Sequence, residues 1–137
     1  MSGIESAKSF VDSNVVLYLL SGDETKANRA EALFLRRPTI SVQVLNEVAS
    51  VCSRKLRMPW SDVGQFLEPI RSLCHVVPVT IDTHDLARRL AERHGLSFHD
   101  ACIVAAASLD GCEYLYTEDM HDGLRVDGGP VLQNPFA

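Results

Sequence analysis

The chain has no Gly-x-Ser-x-Gly, no Gly-Lys-Ser/Thr and no Gly-x-Gly-x-x-Gly, which removes the usual serine hydrolase, P-loop and dinucleotide-binding readings. It also lacks any Cys-x-x-Cys pair. Cys52, Cys74, Cys102 and Cys112 stand alone, which argues against a zinc knuckle and a thioredoxin-like site. Cys52 and Cys102 fall on apolar helical faces, where a reduced thiol behaves as a small hydrophobe. Long apolar runs are missing too. Val15–Leu20 and Ala101–Ala107 are the longest, far short of the roughly 20 residues of a membrane span. Met1–Lys8 has no charged-then-apolar leader pattern, so the expectation is a cytoplasmic protein with no membrane partner. Positive charge is scarce: 13 Lys and Arg against 18 Asp and Glu give a net charge of −5. A generic nucleic-acid binder needs the opposite balance. Local basic clusters persist at Arg36-Arg37, at Arg54-Lys55 with Arg57, and at Arg88-Arg89 with Arg93.

What remains is an ordinary globular composition, 46% apolar and 23% charged over 137 residues, enough for one core and one domain spanning 1–137. There is no internal repeat, low-complexity segment or linker. Short apolar runs alternate with helical patterns. Ser9–Asp12 reads as a strand and Asn14–Leu20 as a short helix. Asp23 or Thr25 caps a second helix to about Arg37, where Pro38 stops it. Thr39–Val42 is a strand, Val44–Leu56 a helix, and Ser61 caps a helix to about Cys74 that contains Pro69. Val76–Thr80 is the third strand. Asp82 or Thr83 caps a helix ending at His94-Gly95, and Ser97 caps the next, Phe98–Leu109. Tyr114–Thr117 is the fourth strand and Val131–Gln133 a fifth at the edge. Such alternation implies an α/β domain with a mostly parallel sheet of four to five strands, helices on both faces, and a ligand site beyond the strands' carboxyl ends.

Four acids stand where apolar runs stop: Asp12, Glu47, Asp100 and Asp119. Asp12 follows Phe10-Val11 and precedes Val15-Val16-Leu17; Asp-Ser-Asn is ordinary turn chemistry, but both flanks look buried and an unpaired buried carboxylate is costly. Glu47 lies at the border of the stripe formed by Val44, Leu45, Val48, Val51 and Cys52, a place that suits a group lining a cleft. Asp100 has a competing role, since Ser97-Phe98-His99-Asp100 resembles a capping box. The helix it opens is apolar on every side, which points its N-terminus into the protein. In Thr117-Glu118-Asp119, with Asp122 close behind, spacing alone does not choose the functional carboxylate. Grouped carboxylates repel unless something positive intervenes, and oxygen-only ligands suit Mg²⁺ or Mn²⁺. The simplest chemistry for such a site is hydrolysis of a phosphodiester.

Phe10-Val11-Asp12-Ser13-Asn14-Val15, Glu47 within Val44–Val48, His99-Asp100-Ala101 and Thr117-Glu118-Asp119 resemble, in this order and at these separations, the PIN-domain nucleases. Within them the likeness is to VapC-type toxins of prokaryotic toxin–antitoxin pairs. It covers nearly the whole chain. The resemblance implies a three-layer α/β/α domain and an endoribonuclease dependent on Mg²⁺ or Mn²⁺. It also implies a homodimer held inactive by an antitoxin, with a structured RNA (a tRNA or rRNA) as substrate. It assigns Asp12 and Asp100 as principal ligands, Glu47 as completing the acidic cluster, and Asp119 as the second-ion side. Asn14, Thr117 and Glu118 become supporting residues, and Glu118 competes with Asp119 for the fourth place.

Other conspicuous residues carry less. His94 and His99 do not share a helical face, and a zinc site from them with Asp100 is a minor alternative. His99 and His121 fall near the expected cleft. Trp60, between two helices, reads as a hydrophobic anchor or, alternatively, as part of a dimer or antitoxin surface. Two rival functions use the same fold. One is a binding module, whose signature would be a missing acid; none is missing. The other is a DNA-directed structure-specific nuclease, which would need a helical arch or an added DNA-binding domain that this short chain does not display.

Overall fold

The computed structural model describes residues 7–137; Met1–Ser6, part of the segment in which no leader pattern was found, lie outside the described residues. Five short strands, β1 (Ser9–Val11), β2 (Thr39–Ser41), β3 (His75–Val77), β4 (Tyr114–Tyr116) and β5 (Val131–Gln133), form one sheet in the order β3-β2-β1-β4-β5. Every pairing is parallel. Among the described residues six α-helices accompany them: α1 (Ser13–Leu17, continued by the 3₁₀ turn Tyr18–Leu20), α2 (Glu24–Phe34), α3 (Val42–Arg54), α4 (Trp60–Leu73), α5 (Ile81–His94) and α6 (Phe98–Leu109). None is long and apolar enough to cross a membrane.

Chain order fixes the layers. The path β1→β2→β3 advances in one direction through α1–α4, whereas β3→β4 returns past β1 through α5 and α6. With right-handed crossovers, these two groups must cover opposite faces. α5 and α6 pack on each other, and α3 packs on α1 and α4. Phe10, Ile40, Leu115 and Leu132, the middle residues of four strands, are fully buried. Each stabilises the fold by roughly 1.5–3 kcal/mol relative to exposure. Val15, Val16, Val44 and Val48, from α1 and α3, are buried with them, as are Ile103 and Val104 of α6.

Most element boundaries follow the sequence expectations, and the departures have local causes. α2 stops at Phe34 rather than Arg37, because Arg36 N and Arg37 N turn to i−3 carbonyls. Arg37 then takes a positive φ of 52° ahead of Pro38, which disfavours helix in the residue before it. α3 begins at Val42, two residues early, because Ser41 Oγ caps it by accepting from Val44 N at 3.4 Å. α4 begins at Trp60 with Pro59 in the cap position, so Ser61 lies in its first turn and is not the cap. α5 starts at Ile81, where Thr80 and Thr83 bond each other's amides at 3.3 and 3.0 Å; neither Asp82 nor Thr83 is the cap. Gly95 ends α5 at φ 67°, in the left-handed conformation that a residue with a Cβ resists. Trp60 is 68% exposed and anchors nothing in the core. All four cysteines are free thiols; burial pushes Cys74 up to about 12 and Cys112 to about 11, so both stay protonated and unreactive.

Candidate active site

β1 is the strand at which the winding reverses, since β2 and β4 flank it and are reached by connections on opposite faces. In open parallel sheets the crevice for a ligand lies beyond the carboxyl ends of the strands at that point. Asp12 follows β1 and Thr117-Glu118-Asp119 follows β4. The ladder bonds Asp12 N→Tyr116 O and Thr117 N→Gln133 O, both 3.0 Å, carry the sheet's geometry directly into these residues.

Asp12 is both the cap of α1 and a buried acid. It is 4% exposed; Oδ1 accepts from Ser13 N at 2.7 Å and Ser13 Oγ at 3.3 Å, and Oδ2 accepts from Thr117 Oγ1 at 2.9 Å. Burial pushes its carboxyl up to about 6. The bonds from Ser13 and Thr117 oppose that rise, while the charges of Glu47 and Asp100 add to it. Three carboxylates from β1, α3 and α6 thus share one electrostatic environment.

Asn14 ties the two strand ends together. Its Nδ2 donates to Asp119 Oδ2 at 3.0 Å, to Thr117 Oγ1 at 3.3 Å and to Asp12 Oδ2 at 3.5 Å, while its Oδ1 accepts from Glu118 N at 3.2 Å. The carboxylates that spacing left undecided separate here. Asp119 faces Asn14 and the cluster. Glu118 turns the other way, accepting from Tyr18 OH at 2.6 Å and Lys26 Nζ at 2.9 Å. Those two donors hold Glu118 below the usual carboxylate range. Asp122 caps Asn134 N at 2.8 Å and takes no part.

Asp100 sits in the first turn of α6, where its amide donates to Ser97 Oγ at 3.1 Å. The return bond of a full capping box is not made, which leaves the carboxylate to a cleft of about 260 Å³ lined by Ser97, Asp100, Asp119, Met120 and His121. The body of α6 is buried, but its first turn is not: Phe98 is 47% exposed. The N-terminus therefore opens at the cleft and not into the interior. Glu47, on α3, bonds His99 Nε2 at 2.5 Å, and Gln43 Nε2 bonds His99 Nδ1 at 3.2 Å and His99 O at 3.1 Å. Because the carbonyl oxygen only accepts, the Gln43 amide nitrogen must face His99. Nδ1 then accepts, and a neutral ring carries its proton on Nε2, toward Glu47.

Sequence reasoning missed Tyr18, Lys26 and Gln43, which come from separate turns of three helices with no spacing rule linking them to the acids. Among the described residues no three His, Cys, Asp or Glu side chains form a ready-made ligand set, which holds for Asp12, Glu47, Asp100 and Asp119 as it does for His94, His99 and Asp100. The gathered donors are carboxylate oxygens, the chemistry of a hard divalent cation. Burial and the charges of Glu47 and Asp100 disfavour the ionised form of Asp12.

Solved structures share this fold. One is a toxin–antitoxin complex from Klebsiella pneumoniae, 22% identical, with a TM-score of 0.71 over 93% of this chain and 98% of that one. A second is Mycobacterium tuberculosis VapC20, described as a sarcin–ricin loop cleaving toxin, 23% identical, with a TM-score of 0.66 over 82% and 90% of the two chains. A third is VapBC2 from Rickettsia felis bound to a promoter DNA fragment, 18% identical, with a TM-score of 0.68 over 92% and 97%. No curated protein matches the chain. The family model described as PIN domain matches residues 9–124, from the first residue of β1 to beyond Asp119, and the chain belongs to the PIN-domain family.

Proposed function

We propose that this chain is a metal-dependent endoribonuclease, the toxin of a type II toxin–antitoxin pair, hydrolysing phosphodiester bonds in a structured RNA such as a tRNA or an rRNA loop. The observation that carries the reading is the buried carboxylate of Asp12, pushed up to about 6 within a group of acids at the sheet's switch point. Capping α1 needs only one such carboxylate, and acids grouped around it cost the fold stability that a bound cation returns.

Asp12 and Asp100 are the principal ligands, Glu47 completes the cluster, and Asp119 serves a second-ion side. When bound, Mg²⁺ or Mn²⁺ neutralises the scissile phosphate and lowers the barrier to its hydrolysis by water. The chain's own residues arrange that chemistry. Ser13 and Thr117 fix both oxygens of Asp12, Asn14 bonds Asp119, and His99 restrains Glu47. None of these groups is a poised nucleophile, so water attacks phosphorus without a covalent protein intermediate.

RNA is favoured because a structural relative is described as cleaving the sarcin–ricin loop, and because proteins read RNA sequence in unpaired loops. The antitoxin is proposed because one structural relative is a toxin–antitoxin complex, and the homodimer from the family resemblance alone. Exposed Leu35 and the apolar groove of about 390 Å³ between α2 and α4 give a protein partner something to cover. The cytoplasm is the compartment in which such a target is met.

The test is cleavage of total tRNA and rRNA by the purified, antitoxin-free protein in Mn²⁺, Mg²⁺ or chelator, with Asp100→Asn alongside. Discrete fragments that require the cation and vanish in a folded Asp100→Asn protein support the reading. Cleavage that survives in chelator overturns it, and cleavage that survives in the variant sinks the assignment of Asp100. A folded protein that binds Mn²⁺ and cleaves neither pool supports the binding module instead.

A further inference from the structure

Glu118 stands between two residues of the site, and its side chain points away from both. Thr117 and Asp119 face Asp12 and Asn14, whereas Glu118 reaches behind them into a closed ring of polar contacts. Tyr18 OH donates to Glu118 Oε1 at 2.6 Å, Lys26 Nζ donates to Glu118 Oε2 at 2.9 Å, and Lys26 Nζ donates to Tyr18 OH at 3.0 Å. The ring has an aromatic roof. Lys26 Nζ lies 4.6 Å from the centroid of Tyr18 and 5.5 Å from that of Phe136, and the two rings meet edge to face at 4.6 Å. Arg29 Nη1 donates to Pro135 O at 2.9 Å and holds the Phe136 segment in place.

We propose that Glu118 is a positioning residue: anchored by Lys26 and Tyr18 beneath Phe136, it sets the turn after β4 so that Asp119 faces Asn14 and Glu118 cannot. What Asp119 then does rests on the function proposed above; how the turn is held rests on the contacts alone. Two features favour positioning over a chance surface ion pair. The pair is only partly exposed, with the Lys26 and Glu118 side chains at 33% and 27%, and it is shielded by two rings, where a charge-assisted bond is stronger than on an open surface. The anchor also shares its backbone with the site, because the Glu118 amide donates to Asn14 Oδ1 and the Asp119 amide to Thr117 Oγ1. Release of the side chain loosens both bonds. It also frees a flexible carboxylate beside the acids, with reach enough to compete with Asp119.

The experiment compares amide hydrogen exchange in the metal-free full chain for wild type, Lys26→Met, Glu118→Gln and Lys26→Arg, with Mn²⁺ titration and RNA cleavage on the same samples. Lys26→Met and Glu118→Gln should lower protection of the Glu118 and Asp119 amides by about tenfold, the loss expected for one charge-assisted bond. Protection at Phe10 and Val11 should hold, and Lys26→Arg should restore the turn. Where the wild type cleaves RNA, kcat should fall in step with that exchange while KM stays within about twofold, as expected when groups serving the transition state are misplaced. Unchanged protection at Glu118 and Asp119, or loss shared equally by β1, overturns the proposal. A wild type that neither binds Mn²⁺ nor cleaves sinks the nuclease reading, and the exchange data then decide the anchor by themselves.

Discussion

His99 donates its Nε2 proton to Glu47 while its Nδ1 accepts from Gln43, so a residue of α6 fixes the rotamer of an acid on α3. The contact joins two elements on opposite faces of the sheet and holds Glu47 at the rim of the cluster that Asp12 feels. The expected result for His99→Ala is a loss of about 5–10-fold in kcat/KM for RNA cleavage, equivalent to one bond of about 1–1.5 kcal/mol. His99→Gln, which offers an amide donor at similar reach, should recover most of it. Because the His99 side chain is about half exposed, thermal stability should barely move in either protein. Equal activity of the Ala variant and wild type would show that Glu47 needs no restraint.

Gly129 lies in the long connection between β4 and β5, the connection that begins with Thr117-Glu118-Asp119. A Cβ there would meet Ser108 Oγ at 2.5 Å and Val126 Cγ1 at 3.0 Å. Ser108 Oγ is itself committed to Val104 O at 2.9 Å, so it cannot move away without cost. Gly129→Ala should destabilise the domain by about 1–2 kcal/mol in urea unfolding. In a Ser108→Ala background the same substitution should cost about 1 kcal/mol less, because one of its two clashes is gone. Strictly additive effects would mean that the connection shifts to accept the methyl group.

The parts of this molecule legible in the sequence are those written locally. β1 and β4 are short apolar runs, Gly95 and Ser97 punctuate helices, and Asp12 and Asp119 fall at strand ends, so topology alone brings them to one crevice. Spacing alone does not choose between Glu118 and Asp119, and only the resemblance favours Asp119. The choice depends on Tyr18 and Lys26, roughly 100 residues away in sequence, and only the folded chain shows which carboxylate they take. The anchor reading of Trp60 fails for a related reason, while the surface alternative stands. A large apolar side chain has a high prior for burial, but no neighbouring element comes to cover it. The capping box at Asp100 read as a competing structural role, yet only the Ser97 half forms.

The pH dependence of the metal-free protein follows from Asp12. Its carboxyl rises from an ordinary 3.8 to about 6 in the folded chain, chiefly through burial. Between those values the folded state holds a proton that the unfolded state has released, so stability falls as pH rises through the window. Two pKa units correspond to at most about 3 kcal/mol. In chelator, Asp12→Asn should therefore be more stable than wild type at pH 7 and should lose that advantage near pH 4. Added Mn²⁺ should raise the unfolding temperature of wild type and leave Asp12→Asn nearly unmoved. A wild type that gains stability from pH 4 to pH 6 while Asp12→Asn stays flat would show that Asp12 is compensated within the protein and has no need of a cation.

Asn14→Asp tests the other side of the same electrostatics. The Asn14 Nδ2 donates to Asp119 and lies 3.5 Å from Asp12 Oδ2, so an aspartate there turns an attractive contact with two carboxylates into a repulsive one. In chelator the variant should lose about 1–3 kcal/mol, the cost of placing a like charge between buried Asp12 and exposed Asp119. A divalent cation reverses the sign of that neighbourhood, so Mn²⁺ should restore more stability to Asn14→Asp than to wild type. Asn14→Ala separates charge from lost bonding: it removes the same donor without adding a carboxylate, and its deficit should show no such extra recovery. If Mn²⁺ shifts both variants equally, Asn14 acts only as a structural clip between β1 and β4, and the extra acid finds no cation to share.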